Sequence, residues 1–171
     1  MSDRAIPIDG RSYQIDGRAV ARRAIPNSLV TRPADKDQTT SSSKFGVRIE
    51  ADDEWEDIEA RISDKPEDYS RAYIYRASDG GELAQVDIST FDPGDVVLFE
   101  DVNLQPEEEY NIVVDADGSS MEHGRFDDIE DDLPYESDDG QLRIIDGAEG
   151  EQDTRSDFIA TIEEVGNITG I

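Results

Sequence analysis

Carboxylates are the residues of this chain that most readily suggest chemistry, because oxygen-rich loops bind hard cations such as Ca²⁺. Asp115 and Asp117 precede Gly118 in one such stretch. Counted from Asp115, however, the sixth residue is Ser120 where an EF-hand loop has glycine, and the twelfth is Phe126 where it has glutamate. A strand that ends at Asp115 and turns at Gly118 explains these residues without an ion. We therefore expect no metal or other cofactor. Asp115 and Asp117 are the residues that would be tested first if a metal were found.

Nucleophiles and proton carriers are scarce. His123 is the only histidine and there is no cysteine, so histidine-based triads, two-histidine metal sites and thiolate chemistry have little to draw on. The sequence contains no Gly-x-Ser-x-Gly elbow, P-loop or Rossmann fingerprint. Paired carboxylates carry little information in a chain in which 43 of 171 residues are acidic. We therefore expect that the protein is not an enzyme.

The net charge indicates the solvent in which the protein works. With 43 acidic and 16 basic residues, the chain carries a formal charge of −27. Such self-repulsion opposes compaction in dilute buffer, but at molar salt the screening length is only ~3 Å and most of the cost disappears. The composition is therefore typical of a halophile. It also argues against nucleic-acid binding, and no apolar run approaches the ~20 residues of a membrane span, so we expect no membrane insertion.

The basic residues are concentrated at the start of the chain. Residues 1–44 hold eight bases and five acids, a net charge of +3, which leaves −30 for residues 45–171. The polar stretch at residues 37–43 has the composition of a linker. We therefore predict an extended basic N-terminal arm and linker over residues 1–44 and an acidic domain over residues 45–171.

The arm has turn signals and more apolar residues than a disordered tail requires. Ile8-Asp9-Gly10-Arg11 recurs as Ile15-Asp16-Gly17-Arg18, and the Asp-Gly pairs favour turns on both sides of a short β element at residues 13–15. A disordered tail is the alternative, but we favour an arm that becomes ordered on a partner or on neighbouring subunits. The residues predicted to dock are Arg4, Ile6, Ile8, Arg11, Tyr13, Ile15, Arg18, Arg22, Arg23 and Ile25.

Beyond the arm, short segments alternate between apolar and polar residues, as half-buried strands do. The expected strands cover residues 45–49, 57–62, 71–76, 83–88, 96–99, 110–115, 141–145 and 158–162. Residues 116–140 resemble a loop, with a short strand at Arg125-Phe126 as the alternative. A helix is the competing interpretation for residues 53–62, but the β-rich context favours a strand with Asp57, Glu59 and Arg61 on a solvated face. The fold class predicted is all-β, an antiparallel β-sandwich of jelly-roll or Greek-key type with an extended N-terminal arm.

A corner between two strands is indicated by Leu104, Pro106 and Tyr110. A turn-forming proline follows the leucine, and the tyrosine leads into the apolar run at residues 112–114. In sandwiches, a tyrosine at such a corner hydrogen-bonds back to the backbone a few residues upstream. We assign these three residues to structure.

Aromatic side chains offer faces on which a sugar could stack. In the segment 71–76, alternation puts Tyr73 and Tyr75 on one face and Ala72 and Ile74 on the other, so one pair is core and the other lies outside or against an interface. Core or interface packing is the commoner fate of such residues. The candidates for contact with a glycan or host surface are Trp55, Tyr73, Tyr75, Phe126 and Tyr135.

The order of motifs resembles proteins encoded by tailed viruses of haloarchaea and related prophages. The resemblance begins with the Ile-Asp-Gly-Arg, Arg-Ala-Ile-Pro-Asn-Ser and Arg-Pro-Ala-Asp patterns of the arm and with Phe45-Gly46-Val47-Arg48-Ile49. It continues through Tyr73-Ile74, Asp79-Gly80-Gly81, the corner, Val113 to Ser120, Leu133-Pro134-Tyr135 and Leu142-Arg143-Ile144. The similarity covers almost the whole chain.

The resemblance implies a lectin-like sandwich in a tail fibre, a baseplate, a capsid decoration or another surface part of the virion, assembled in the cytoplasm of a halophilic archaeal host. The implied partners are other virion proteins, copies of the same chain in a homo-oligomer, and a host cell-surface glycan or glycoprotein. The alternative is a carbohydrate-binding module of a halophile that has no role in assembly.

We predict that the melting temperature falls as NaCl is diluted from molar concentration, because the repulsion among the excess carboxylates is then screened less. Thermal unfolding followed by circular dichroism across a salt series measures this. A melting temperature that does not depend on salt would refute the halophile interpretation.

Overall fold

The computed structural model describes residues 29–31, 38–40, 44–62, 70–115, 121–125, 133–154, 158–160 and 162–169. Over these residues the chain forms fourteen strands and no helix, so none of this part could cross a membrane as a helix. The strands are β1 (Leu29–Thr31), β2 (Gln38–Thr40), β3 (Lys44–Ala51), β4 (Ile58–Ile62), β5 (Arg71–Arg76), β6 (Gly81–Asp87), β7 (Val96–Phe99), β8 (Glu109–Asp115), β9 (Met121–Arg125), β10 (Tyr135–Glu136), β11 (Leu142–Glu149), β12 (Asp153–Thr154), β13 (Phe158–Ala160) and β14 (Ile162–Gly166).

Two antiparallel sheets pack face to face as a β-sandwich. The first has four strands in the order β1-β14-β4-β7, and the second has seven, in the order β10-β11-β3-β8-β5-β6 with β12 paired to β11. Strands β13, β9 and β2 form a third, three-stranded sheet. The chain crosses between the two large sheets, since β4 lies in the first sheet while β3 and β5 lie in the second. The predicted antiparallel β-sandwich is confirmed.

The core lies between the two large sheets and follows from the period-two pattern of the strands. Every second residue of β3 from Phe45 to Ala51 is buried, and register places these side chains beside those of β8 and β11. Ile58, Ala60 and Ile62 of β4 face them from the four-stranded sheet. Fully burying one Val, Leu, Ile or Phe side chain contributes about 1.5–3 kcal/mol, so this layer supplies most of the favourable energy of folding.

The end of the predicted arm is joined to the sandwich. Leu29–Thr31 pairs with β14 at the edge of the four-stranded sheet, and Val30 lies fully buried in the core. The stretch interpreted as a linker also contributes a strand, because Gln38–Thr40 pairs with β9. Residues 1–28, which hold all the predicted docking residues, lie outside the described part of the chain.

The strand at residues 58–62 is confirmed, and the helical alternative is wrong. One detail of the prediction is also wrong, because Glu59 is only 4% exposed. Its carboxylate accepts hydrogen bonds from the backbone N–H groups of Ile168 (2.9 Å) and Thr169 (3.0 Å) and from the Thr169 hydroxyl (2.6 Å). These three donors replace the water that the carboxylate loses on burial, and they fix the chain that follows β14.

Strands also appear where loops were expected. β9 and β10 both lie within residues 116–140, and β11 runs to Glu149, four residues beyond the predicted end. The predicted strand at 158–162 is divided between β13 and β14, which belong to different sheets. These strands are short or polar, so the alternation that signals a strand is weak in them.

The predicted corner is present. The backbone N–H of Gln105 donates to the Tyr110 hydroxyl at 2.8 Å, and Leu104 pairs with Trp55 in an isolated β-bridge. Pro106 is exposed in the turn, and Glu107 completes it with a positive φ of 67°. The hydrogen bond predicted for Tyr110 is thus confirmed.

Replacing Tyr110 with Phe should lower the free energy of unfolding by about 1 kcal/mol, because it removes one hydrogen bond and leaves the Gln105 N–H without its acceptor. Chemical denaturation at molar NaCl measures the difference. Gln105→Ala is the matched control, since it keeps the backbone donor, and it should change stability by less than about 0.5 kcal/mol. Equal stability of Tyr110→Phe and the native chain would contradict the structural role of the corner.

Candidate functional site

A second, small apolar cluster lies on the outer face of the seven-stranded sheet, away from the core. Tyr75, Val113 and Ala148 are buried there and Tyr73 packs against them. Because side chains alternate along a strand, the neighbours Ala72 and Ile74 point into the core instead. The predicted separation of the two pairs is therefore confirmed, with the tyrosines on the outer face.

Gly46 lies in the middle of this outer face. In the sheet it is flanked by Val113 on β8 and Ala148 on β11. A Cβ atom at residue 46 would overlap the carbonyl oxygen of Ile112 and lie 2.7 Å from the Val113 Cα. Only glycine fits at this close approach of two backbones. Because glycine has no side chain, nothing projects from residue 46 on the outer face of the sheet.

The turn between β11 and β12 folds over this face. The Asn111 side-chain amide donates to the carbonyls of Gly150 (3.3 Å) and Asp153 (3.1 Å), and its oxygen accepts from Arg48 Nε at 2.9 Å. Arg48 also donates to the carbonyl of Gln152. Asn111 is fully buried as a result. A polar network thus holds residues 150–153 against the sheet.

Lys44 connects the tyrosines to this turn. The rings of Tyr73 and Tyr75 stack with centroids 5.4 Å apart and an interplanar angle of 15°. The Lys44 ammonium lies 4.6 Å and 5.0 Å from the two centroids, donates to the Tyr75 hydroxyl at 2.7 Å and is 3.7 Å from a Glu151 carboxylate oxygen. A cation over two aromatic rings is a favourable arrangement, and it covers the faces of the rings.

Burial raises the pKa of Tyr75 well above its usual value, and the carboxylates of Glu151, Glu82 and Asp115 add to the shift. The phenol therefore stays neutral and keeps its hydrogen bond with Lys44 throughout the physiological range. Its hydroxyl accepts the hydrogen bond from Lys44 and so helps to hold the lysine over the rings.

An open cleft of about 380 Å³ lies beside the lysine, near the lower end of the size range of ligand sites. Its walls contain an ammonium group, three carboxylates and a primary amide, all of which hydrogen-bond hydroxyl groups. No group of carboxylates within the described part of the chain has the arrangement of a metal site. The lining residues are Lys44, Asp115, Gly150, Glu151, Gln152 and Asp153.

The structure brings together few of the residues predicted to contact a glycan. Trp55 and Tyr75 are only 2% and 3% exposed, so burial in well-packed surroundings removes both from the contact candidates. Tyr135 packs against the main core and is half-buried, and Tyr73 is half-buried under Lys44. Phe126 lies outside the described residues.

Of the two metal candidates, Asp115 lines the cleft and Asp117 falls outside the described residues. Lys44 and residues 150–153 were missed by sequence reasoning. A usable signal was present, since Gly150, which has a positive φ of 71°, marks a turn after a long strand.

Comparison with known proteins adds no relative. The sequence matches no protein-family model, and neither a curated protein nor a solved structure matches it.

Proposed function

We propose that this protein is a structural component of the virion of a haloarchaeal tailed virus. Its basic arm docks onto neighbouring proteins of the tail, baseplate or capsid, and its acidic sandwich faces the solvent. The proposal rests on the resemblance in sequence and on one observation above all, the division of charge between a +3 arm and a −30 domain.

The way in which the arm is attached supports this role. Val30 is buried in the core and β1 is paired along its length with β14. Strand β1, which we call the root of the arm, is therefore fixed to the edge of the sandwich. Residues 1–28 precede this root and contain five of the chain's thirteen arginines, with three aspartates. A cationic segment on a rigid root can reach an acidic neighbour, and short-range ion pairs survive even at molar salt.

The docking role predicts that a chain lacking residues 1–28 stays folded but is no longer incorporated into particles. The deletion ends before β1, because removing Val30 would open the core. Particles assembled with native or truncated protein are purified and their content of this chain is compared by mass spectrometry. Normal incorporation of the truncated chain would refute the docking role.

Two arm variants of native length test whether the positive charge of the arm, and not merely its presence, is needed for incorporation. Replacing Arg4, Arg11, Arg18, Arg22 and Arg23 with Gln should impair incorporation, whereas Asp9→Asn with Asp16→Asn leaves the bases in place and should not.

Carbohydrate binding is the second candidate, and the cleft beside Lys44 favours it. Because Lys44 covers the stacked tyrosines, a sugar would be held by hydrogen bonds from the walls of the cleft and not by stacking on the rings. Such a site would place a glycan or glycoprotein of the host surface at the exposed face of the sandwich.

This second role predicts binding on a glycan array at molar NaCl that is lost in the variant Glu151→Gln with Asp153→Asn. Both side chains are exposed, so the fold should be unaffected. Asp138→Asn is the control, because this exposed residue lies beyond the opposite end of β11. Absence of binding by the native chain, or equal binding by both variants, would exclude a glycan site in the cleft.

A further inference from the structure

Among the residues that the structure describes, strand β6 forms one edge of the seven-stranded sheet. None of its seven residues is buried, although its neighbour β5 has three buried residues. Leu83, Ala84 and Val86 are half-buried against the main core, while Glu82, Gln85 and Asp87 are exposed. A strand laid along β6 would complete the burial of its apolar side chains.

Backbone hydrogen bonding shows which groups of β6 face outward. The N–H of Ile88 donates to the carbonyl of Ser70 at 3.1 Å, so the backbone N–H of residue 88 points toward the β5 side. Bonded and non-bonded pairs alternate, so Val86, opposite Ala72, also bonds toward β5. The backbone N–H and C=O groups of Gln85 and Asp87 therefore point away from β5, toward the open edge.

The usable edge is short. The register between β5 and β6 shifts between Glu82 and Ala84, where a bulge interrupts the ladder, and bulges limit pairing at edges. The regular part runs from Ala84 to Asp87, which suits an added strand of three to five residues.

The root of the arm lies on the other side of the sandwich. β1 is next to β10 and β11, whereas β6 is next to β7. Five strand spacings of ~4.8 Å separate the two edges of the larger sheet, about 24 Å in all. The arm would have to cross the whole sandwich to reach its own β6, whereas a second copy placed side by side presents its β6 next to the root.

The arm contains a segment of suitable length. Tyr13-Gln14-Ile15 lies between two Asp-Gly turn signals and has Arg11 and Arg18 on either side. The exposed carboxylates Glu82 and Asp87 lie near the two ends of β6. The fourteen residues from Ile15 to Leu29 can span at most ~46 Å. This reach exceeds the ~24 Å across the larger sheet, so the arm is long enough for β6 of its own copy or of an adjacent one, and the experiment with two different chains below distinguishes the two.

We propose that residues 13–15 of one copy add as an extra strand to β6 of a second copy. The main chain supplies the hydrogen bonds, as in other cases of strand addition, and the opposite positions of root and acceptor make the contact head-to-tail, so that copies form a ring or an open row. This inference depends on the proposed docking role of the arm and identifies its partner as another copy of the same chain.

Disulfide trapping between two different full-length chains tests the contact, since the native chain has no cysteine. A Gln14→Cys chain is mixed with a Gln85→Cys chain at molar NaCl and oxidised, and a mixed covalent dimer is expected on a non-reducing gel. Glu136→Cys replaces the second chain in the control, because Glu136 is exposed on β10 at the far edge of the sheet. Equal cross-linking to both positions would overturn the inference.

Self-association provides a second, independent test. Gln85→Pro removes an outward N–H without removing a hydrogen bond to β5, a position at which an edge strand tolerates proline. It should weaken self-association about tenfold in sedimentation velocity experiments. Gln85→Ala is the matched control, because it loses the side-chain contacts with Arg71 and Glu82 but keeps the N–H, and it should associate normally.

The outcomes separate this inference from the docking role. If the full chain stays monomeric, or if Gln85→Pro and Gln85→Ala associate alike, β6 does not accept the arm. If β6 does not accept the arm but deletion of residues 1–28 prevents incorporation into particles, then the arm docks on another virion protein. If the truncated chain is incorporated normally, the docking role itself fails.

Discussion

Burial of the inner faces of two sheets must outweigh the mutual repulsion of a chain that carries 27 net negative charges. The scarce arginines reduce that repulsion at cross-strand positions. Arg143 on β11 lies 3.0 Å from Glu50 and 2.6 Å from Asp52, and Arg61 lies 2.6 Å from Glu164. Arg143 also lowers the pKa of Asp52 through its hydrogen bond. Ion pairs that stay partly in contact with solvent contribute on the order of 1 kcal/mol each, so the apolar core is decisive and the pairs limit the cost of the charge.

The parts of the fold that could be predicted from the sequence are those that depend on local patterns. β5 and β7 begin and end where alternation places them, and the corner at Tyr110 needs only residues within a few positions of one another. Burial of Glu59 could not be predicted, because its hydrogen-bond donors lie more than a hundred residues away in the chain. A carboxylate on a strand is expected to be solvated unless such distant donors are known.

The candidate site was less predictable than the fold. Alternation separates Tyr73 and Tyr75 from their neighbours, but it does not reveal which face packs on the core. The cover over the outer face comes from residues 150–153, and their position depends on the register of β11 against β3 and on the buried Asn111. Lys44 was placed in a linker, yet it begins β3 and lies over both rings. Long-range register of this kind is absent from any single stretch of sequence.

The pairing of β1 with β14 determines where the two outer segments of the chain leave the sandwich. Leu29 is opposite Gly166 in the register, so the residues before β1 and those after β14 start from the same corner. Glu59 holds the second of these segments in place through residues 168 and 169. A fluorescent protein or affinity tag inserted directly after Thr169 would therefore crowd the root of the arm, whereas an insertion at the exposed Asp138 would lie in the turn between β10 and β11. Labels are therefore better placed in that turn.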